Sequence, residues 1–545
     1  MKTNKLIYLF SFVILSCTSA KKQNEFNNKK ISVEKLHKDL NFTQKKLFAM
    51  HPDADFYTPK DSILLLFNQT KNKITQPLTP KEFYFELAPI IASIKQGHSR
   101  AIYPSEVSTK ETLKKYKNTQ GPLSQLGYIY TDNKLYVTHI NNKKNEVPSG
   151  SEIIEINGIT PQQLFANYCK NNASDGFNKT YLEKGFSKRF PTQFTDKFGT
   201  LDSIKLKLSC SDSIFYVTNK RINLKEKKAE KKDSLKTKTD TLKTQPKKIL
   251  TKDEKAKLKL ESKKLLEKIN YQRKMGWVNG SINKQIIFPI PTDSTFAILK
   301  IKSFSSGRIK SAYDTIFNYI NSKNIQHLVL DLRDNPGGRI LDIDHLYSYL
   351  KLKNEPIISE ASVVNKTKLP GYFITGKSVG SYIALTPVYP FLYSWVYLNT
   401  TKNQEGKYNY KVAGIKSREI KPNAFKNKLS VLVNGGSFSA SCLITSNLKG
   451  SQRALVYGEE TGGTYNGTVA GIMPLLKLPN SKLKVRLGLM HIKSYHQTQE
   501  FARGIKPDFP IKLITDEQIY NANYEYEYIY KINQKQEDTE ITTLK

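Results

Sequence analysis

The residues best suited to chemistry lie in residues 428–464, KLSVLVNGGSFSASCLITSNLKGSQRALVYGEETGGT. A short apolar run, 429–433, predicts a buried strand, NGGSFS a sharp turn, and the small residues after it a helix starting near Ser439. Strand, glycine turn, serine and helix in that order lift a hydroxyl off the backbone. They also set the amides of a helix N-terminus beside it for developing negative charge. This is the local pattern of a serine nucleophile, and also of an ordinary Gly/Ser turn between strand and helix. A serine hydroxyl is a poor nucleophile near neutral pH unless a base stands beside it. The candidates are His98, in the sequence QGHSR just beyond an amphipathic helix, and His491 and His496 on a strand-like run late in the chain. Imidazole suits the task because its ordinary pKa lies near neutrality, so it can take a proton and return it.

The elements that must carry these residues alternate in type. Residues 32–94 show apolar positions at helical spacing (Leu36, Leu40, Leu47; Phe83, Leu87, Ile90, Ile91, Ile94), which predicts a small helical domain. Short strand-like runs follow, then VPSGSEIIEING and a helix from Pro161. Residues 225–274 are lysine-rich; LKEKKAEKKDSLKTKTDTLK has few large apolar residues and is expected to be mobile, with a possible exposed helix over 255–269. From 286 to 513 strands and helices alternate, with the apolar run 327–332 reading as a strand buried on both faces before Asp331-Leu332-Arg333-Asp334-Asn335-Pro336-Gly337-Gly338. That alternation predicts a layered α/β core with its site at the carboxyl ends of the strands.

The chain has 545 residues, enough for several domains, and its 31 Tyr and 26 Phe supply sizeable cores. Its 86 Lys+Arg against 48 Asp+Glu give a net charge of +38, part of it concentrated in the lysine-rich stretch. No nucleic-acid-reading module accompanies the charge, so no specific nucleic-acid partner is expected. The first residues, MKTNK, are basic, residues 6–15 are apolar but too short for a permanent span, and Ser16-Cys17 follow. This is an export signal, with cleavage either at Cys17 or near Ala20. Cys169 and Cys210 could pair in an oxidising compartment, whereas no metal-ligand spacing exists among the cysteines.

GHSR at His98, DLRDNPGG at 331–338, NGGSFSAS at 434–441, GEETGG at 458–463 and RGIKPD at 503–508, in this order, resemble the C-terminal processing (tail-specific) serine proteases, particularly the tricorn-like branch. The resemblance covers most of the chain apart from the leader and the lysine-rich stretch. It implies a crotonase/ClpP-like layered α/β core with an N-terminal helical domain and a PDZ-like β-rich domain. Peptide or protein substrates are implied, with no cofactor and no metal. It also implies Ser439 as nucleophile (Ser437 the competitor), His98 as base, Ser99 and Glu500 as its supports, and an oxyanion site from the Ala440 amide with Gly337 or Gly338.

Four departures stand out. Thr464 occupies the place of the processing branch's lysine; Gly97 precedes the histidine where a hydroxyl is usual; Glu500 falls four residues before Gly504, with Phe501 at the matching place; and Cys442 stands where glutamate is common. Ser16-Cys17 resembles a bacterial lipoprotein signal, in which Cys17 is acylated. The expected plan is a lipoprotein-type signal peptide at 1–17, tether 18–31, helical domain 32–115, PDZ-like domain 116–222, mobile insert 223–276, catalytic core 277–515 and polar tail 516–545. The expected location is the cell envelope, periplasmic or outer-membrane. Two rival readings are a catalytically inactive peptide-binding relative and a basic surface-binding protein.

Overall fold

The computed structural model describes residues 19–140, 147–210, 213–224, 252–377, 379–404, 406–512, 521 and 523–543. The leader with Cys17 and residues 225–251 of the lysine-rich stretch lie outside them.

Ordered structure begins earlier than a polar tether would allow. Helix α1 (Ala20–Asn27) is capped by the Ser19 side chain, and Asn24 exchanges a pair of 2.9 Å hydrogen bonds with the Val107 backbone. Helices α2 (Val33–Met50), α3 (Lys60–Lys73) and α4 (Pro80–Ser93) follow; α4 starts with a Thr79/Glu82 capping box and proline in its first turn. Their apolar stripes, including Leu36, Leu40, Phe83 and Leu87, are fully buried in one core with Leu330 and Leu443, so these helices do not form a separate globule. Asp39 of α2 fastens them further, accepting from the amides of Asn480 (2.9 Å) and Ser481 (2.7 Å). The GHSR stretch leads into β1 (Arg100–Ile102).

A second unit is an antiparallel sheet with strands in sequential order: β2 (Leu126–Thr131), β3 (Lys134–Ile140), β4 (Glu152–Ile156), β5 (Ser203–Cys210) and β6 (Ser213–Lys220). Helices α5 (Pro161–Asn171) and α6 (Thr180–Phe198) connect β4 to β5 and pack Leu164, Phe186, Phe190 and Phe194 onto it, giving this unit its own core. The later part of the lysine-rich stretch is the exposed helix α7 (Lys252–Met275), longer than the 255–269 expected.

The region from Lys284 to Pro510 has two larger sheets. The first contains β7 (Lys284–Ile287), β8 (Phe296–Ile301) and β9 (His327–Asp331), with α8 (Ile309–Ser322) as the crossover from β8. After α9 (Ile340–Leu350) and β10 (Ile358–Val363), the chain makes a helical excursion, α10 (Leu369–Ile374), α11 (Val379–Leu385) and α12 (Tyr389–Leu398). It returns through β11 (Thr400–Lys402) and β12 (Tyr408–Tyr410) to β13 (Lys428–Val433) and α13 (Ala440–Gly450). Then come β14 (Leu455–Gly458), β15 (Gly467–Ala470), β16 (Leu475–Lys477), β17 (Lys484–Arg486), β18 (Met490–Ser494) and β19 (Phe509–Pro510). The first sheet runs β7-β8-β9-β13-β14-β19, parallel from β8 onward; the second, antiparallel, runs β11-β12-β10-β18-β15. The layered α/β expectation is met. A small sheet, β1-β17-β16, joins the strand after His98 to this core.

The tail is more than a polar appendage. Helix α14 (Tyr524–Thr543) buries Tyr526 and Ile529 against Phe296, Val329 and Leu432 of the parallel sheet. Its Tyr526 hydroxyl donates to the buried Asp331 carboxylate at 2.6 Å, and Glu525 pairs with Arg333. Burial alone would raise the Asp331 pKa, but the Arg333 guanidinium, bonded through Nε (3.0 Å) and Nη2 (2.8 Å), holds it down to about 2. Removing one donor from a buried, charged acceptor costs about 1–3 kcal/mol. Tyr526→Phe is therefore expected to lower unfolding free energy by that amount at an unchanged denaturant slope. An unchanged midpoint would place the tail outside the cooperative unit.

Candidate active site

Strand β13 ends at Val433, and its successor turn is held from within. Asn434 Oδ1 accepts from the amides of Gly436 and Asp334, each at 2.9 Å, and Ser437 Oγ donates to Leu332 O at 2.7 Å. One turn further, Ser441 Oγ donates to Asn335 O at 2.9 Å. Both neighbouring hydroxyls are thus committed to the loop after β9. Between them Ser439 is the N-cap of α13 at φ 58°, ψ −118°, a conformation costly for a residue with a Cβ, and its Oγ bonds to no protein group among the described residues. It is 8% exposed, at the wall of the site rather than inside the core.

The glycine pair of the β9 loop lies against this serine. A Cβ on Gly337 (φ +89°) would stand 2.7 Å from Ala440 N and 2.9 Å from Ser439 Cβ. Gly337's own amide donates to Asn335 Oδ1 at 2.9 Å and is therefore engaged. The amides of Gly338 and Ala440 are engaged by no protein group among the described residues, so they are the donors left for an oxyanion.

His98 is beside the serine turn but not bonded to it. Its ring packs on Phe438 at a 4.9 Å centroid distance, and Phe438 stacks in turn on Tyr181 of α6 at 4.3 Å. Arg486 Nε donates to the His98 carbonyl at 2.7 Å, whereas His98 Nε2 and Ser99 Oγ are buried with no hydrogen-bond partner among the described residues. Burial, and then the nearby Arg486 and Arg100 charges, push the imidazole pKa down to about 3, so the ring is neutral. The rival histidines are engaged elsewhere: His491 Nδ1 with Asp53 at 2.6 Å and His496 Nε2 with Glu355 at 2.9 Å.

Glu500 does not approach His98. It is solvated and paired with Lys506 at 2.8 Å, as suits a charge with no reason to be desolvated. Ser99 makes no bond to the histidine, so neither expected support is in place. Thr464 is a buried hydroxyl donating to Gly467 O at 2.6 Å. Cys442 is a buried core residue whose thiol is pushed up to about 12 by burial, and Cys169 is a free thiol, so no Cys169–Cys210 bridge forms.

The carboxylate that does reach the histidine loop is Asp175, in the stretch between α5 and α6. It is completely buried, accepting from the Gly97 amide at 2.7 Å and from Thr468 Oγ1 at 2.8 Å. It ties the residue before His98 to β15 of the core. No motif marks it, because its partners lie far away in sequence and only the fold assembles them. Burial pushes its pKa up to about 7 against the two hydrogen bonds that favour ionisation. The sign follows: between about pH 4 and 7 the folded chain keeps a proton that the unfolded chain has released, so Asp175 makes stability fall as pH rises. Asp175→Asn keeps the shape and removes the titration. The variant is expected to gain on the parent by up to about 1.4 kcal/mol per pH unit across that window, read by denaturant unfolding. A pH-independent difference would refute the shift.

Residues 295–511 match the family model described as Peptidase family S41. No curated protein sequence matches the chain. Among solved structures, mature CPAF complexed with lactacystin is 16% identical, with 92% of this chain and 97% of that chain covered at a TM-score of 0.58. Mature CPAF alone gives 16%, 92%, 96% and 0.58 in the same order, and the photosystem II D1 C-terminal processing protease gives 12%, 88%, 95% and 0.39. At such identities the likeness to CPAF concerns fold. Parallel sheet, serine turn and glycine pair define a serine-type peptidase. Within that class, residues 295–511 form a domain of peptidase family S41.

A methyl group on Gly337 would have to displace the nucleophile turn or the Ala440 amide. Gly337→Ala is expected to cut turnover of a peptide substrate by about 10²–10³-fold, the scale of losing one oxyanion donor. Near-native turnover in the variant would show that the glycine pair plays no part.

Proposed function

We propose that this chain is an exported, lipid-anchored serine endopeptidase acting through an acyl-enzyme on Ser439, with His98 as general base. The observation that carries the proposal is the strained Ser439 at the head of α13, its hydroxyl unbonded while Ser437 and Ser441 are both spoken for. Ser439 Oγ adds to the scissile carbonyl carbon as its proton passes to His98 Nε2, and the oxygen that becomes negative is met by the Ala440 and Gly338 amides. Collapse breaks the C–N bond, and the proton goes to the leaving amine. Water then repeats the sequence on the ester and frees the new carboxylate.

His98 supports the base role through its position against Phe438 and its unpartnered Nε2, which is free to accept. For transfer, that nitrogen must come to roughly 3 Å from Oγ, a distance that apo sites reach on binding substrate. The sheet β2 to β6 with its helices supports the PDZ-like reading. Its edge strand β6 exposes Ile214 and Tyr216, and a substrate segment would add there as a further strand. The basic leader, apolar core and Cys17 support export and acylation in a cell envelope.

A fluorophosphonate probe is expected to label the wild type and not Ser439→Ala. His98→Ala should lose roughly 10²–10⁴-fold in kcat/KM while keeping its fold. An unlabelled wild type that still binds peptides would establish the inactive relative instead. Cys17→Ser should lower the share of the protein found in the membrane fraction of cells.

A further inference from the structure

The helical excursion between β10 and β11 does not hide its apolar residues. Helix α12, YPFLYSWVYL, is apolar on every side, a composition that belongs to a covered helix, yet only Val396 is buried. Phe391 is 78% exposed, Leu398 75%, Trp395 65%, and Ile383 of the neighbouring α11 65%. Isolated exposed apolar residues are ordinary, but a contiguous set this large marks a surface made for contact. The excursion is anchored at its base by buried Leu369 and Pro370, by Val396, and by Phe373 against Tyr410 at 5.8 Å, so the exposed face stands out from an ordered support.

The charge pattern says what covers it. Residues 364–404 contain Lys366, Lys368, Lys377 and Lys402 and neither Asp nor Glu. Lys366 lies over the Tyr397 ring at 4.1 Å. Tryptophan and tyrosine beside projecting aliphatic residues, in a stretch whose charged side chains are all lysine, match the layering of a bilayer surface. Acyl chains take the apolar tips, the headgroup level takes the aromatic rings, and anionic phosphates take the ammonium groups. A second copy is a poorer cover, since a two-fold contact would set the lysines of 364–404 against one another, and the nearby carboxylates Glu360 and Asp344 are already paired with Lys493 and Arg418. No helix among the described residues is long and apolar enough to cross a membrane, so the contact is with one leaflet.

We propose that α11 and α12 form a docking surface by which the folded protein lies on an anionic bilayer, independently of any acyl chain. The face would insert Ile383, Phe391, Trp395 and Leu398 and hold the support parallel to the membrane plane.

The chain has two tryptophans, Trp277 and Trp395, which makes the surface directly readable. In full-length protein carrying Cys17→Ser and Trp277→Phe, Trp395 is the sole indole reporter. With vesicles of phosphatidylethanolamine and phosphatidylglycerol its emission should shift to the blue and be quenched by brominated acyl chains. Pure phosphatidylcholine vesicles should give a weaker response. Adding Phe391→Glu and Leu398→Glu should lower the partition coefficient at least tenfold. Both chains share the same leader, so the difference reads the face alone. Hydrolysis of a soluble peptide should be the same in both, and Ser439→Ala should still bind vesicles, so failure of the docking surface is distinct from failure of the peptidase reading. No blue shift with any vesicle, or equal partition with and without the two glutamates, overturns the proposal. So does a dimer in free solution that the two glutamates split, which would assign the cover to a second copy.

Discussion

The arrangement depends on hydrogen bonds between two loops that leave neighbouring parallel strands, β9 and β13. Ser437 Oγ to Leu332 O, Ser441 Oγ to Asn335 O, Phe438 N to Asn335 O and Asp334 N to Asn434 Oδ1 stitch DNPGG to NGGSFSAS across the sheet. All of these residues but Asp334 are buried, and a buried donor left without its acceptor costs about 1–3 kcal/mol, so the two loops have little freedom to part. The same stitching supports the unfavourable φ of Ser439 and brings Gly337 to the point where only a hydrogen fits against Ala440 N. Strain at one residue persists because its surroundings over-determine it. Ser439 and the unengaged amides of Gly338 and Ala440 are in this sense a single object made by two loops.

The sequence was most informative where chemistry is local. Strand β9, helix α8, strand β13 and the start of α13 follow from apolar runs and turn residues, and Ser439 follows from strand, glycine turn and small residues in immediate succession. Helix α6 was not evident, because its phenylalanines (Phe186, Phe190, Phe194) are interleaved with basic residues and a proline, and their common face appears only once β2 is there to receive it. The tail misled for a similar reason: YEYEYIYKIN alternates polar and aromatic residues in a way that suggests surface, yet as a helix it sets Tyr526 and Ile529 on one side, against the parallel sheet. Glu500 was chosen by its distance from a motif glycine, and spacing along a chain does not determine which carboxylate the fold desolvates. Asp175 had no pattern to betray it, since its partners Gly97 and Thr468 come from distant parts of the chain.

Residues 174–181 join the parts of the site. Asp175 holds Gly97 and Thr468; Gly176 N donates to Lys95 O at 2.9 Å and Phe177 N to Ala502 O at 3.0 Å; and Asn178 Nδ2 donates to Gly462 O at 3.1 Å. The segment then becomes the first turn of α6, where Tyr181 stacks on Phe438. The β-rich unit is therefore attached to the core through the residues that border His98 and Ser439, in place of a free linker. Phe438 is the shared member: His98 rests on one side of it and Tyr181 on the other.

That sandwich constrains how the imidazole can approach the hydroxyl. Phe438 is 2% exposed, and a Cβ on Gly97 would already lie 2.8 Å from its ring, so the glycine before His98 is what lets the histidine loop come this close. With the ring enclosed and Arg486 and Arg100 nearby, a proton on His98 is strongly disfavoured. Relief requires a counter-charge or water beside the ring. The carboxylate closest in the bonding network is Asp175, one residue away through the Gly97 amide, and its own burial keeps it largely protonated below neutrality.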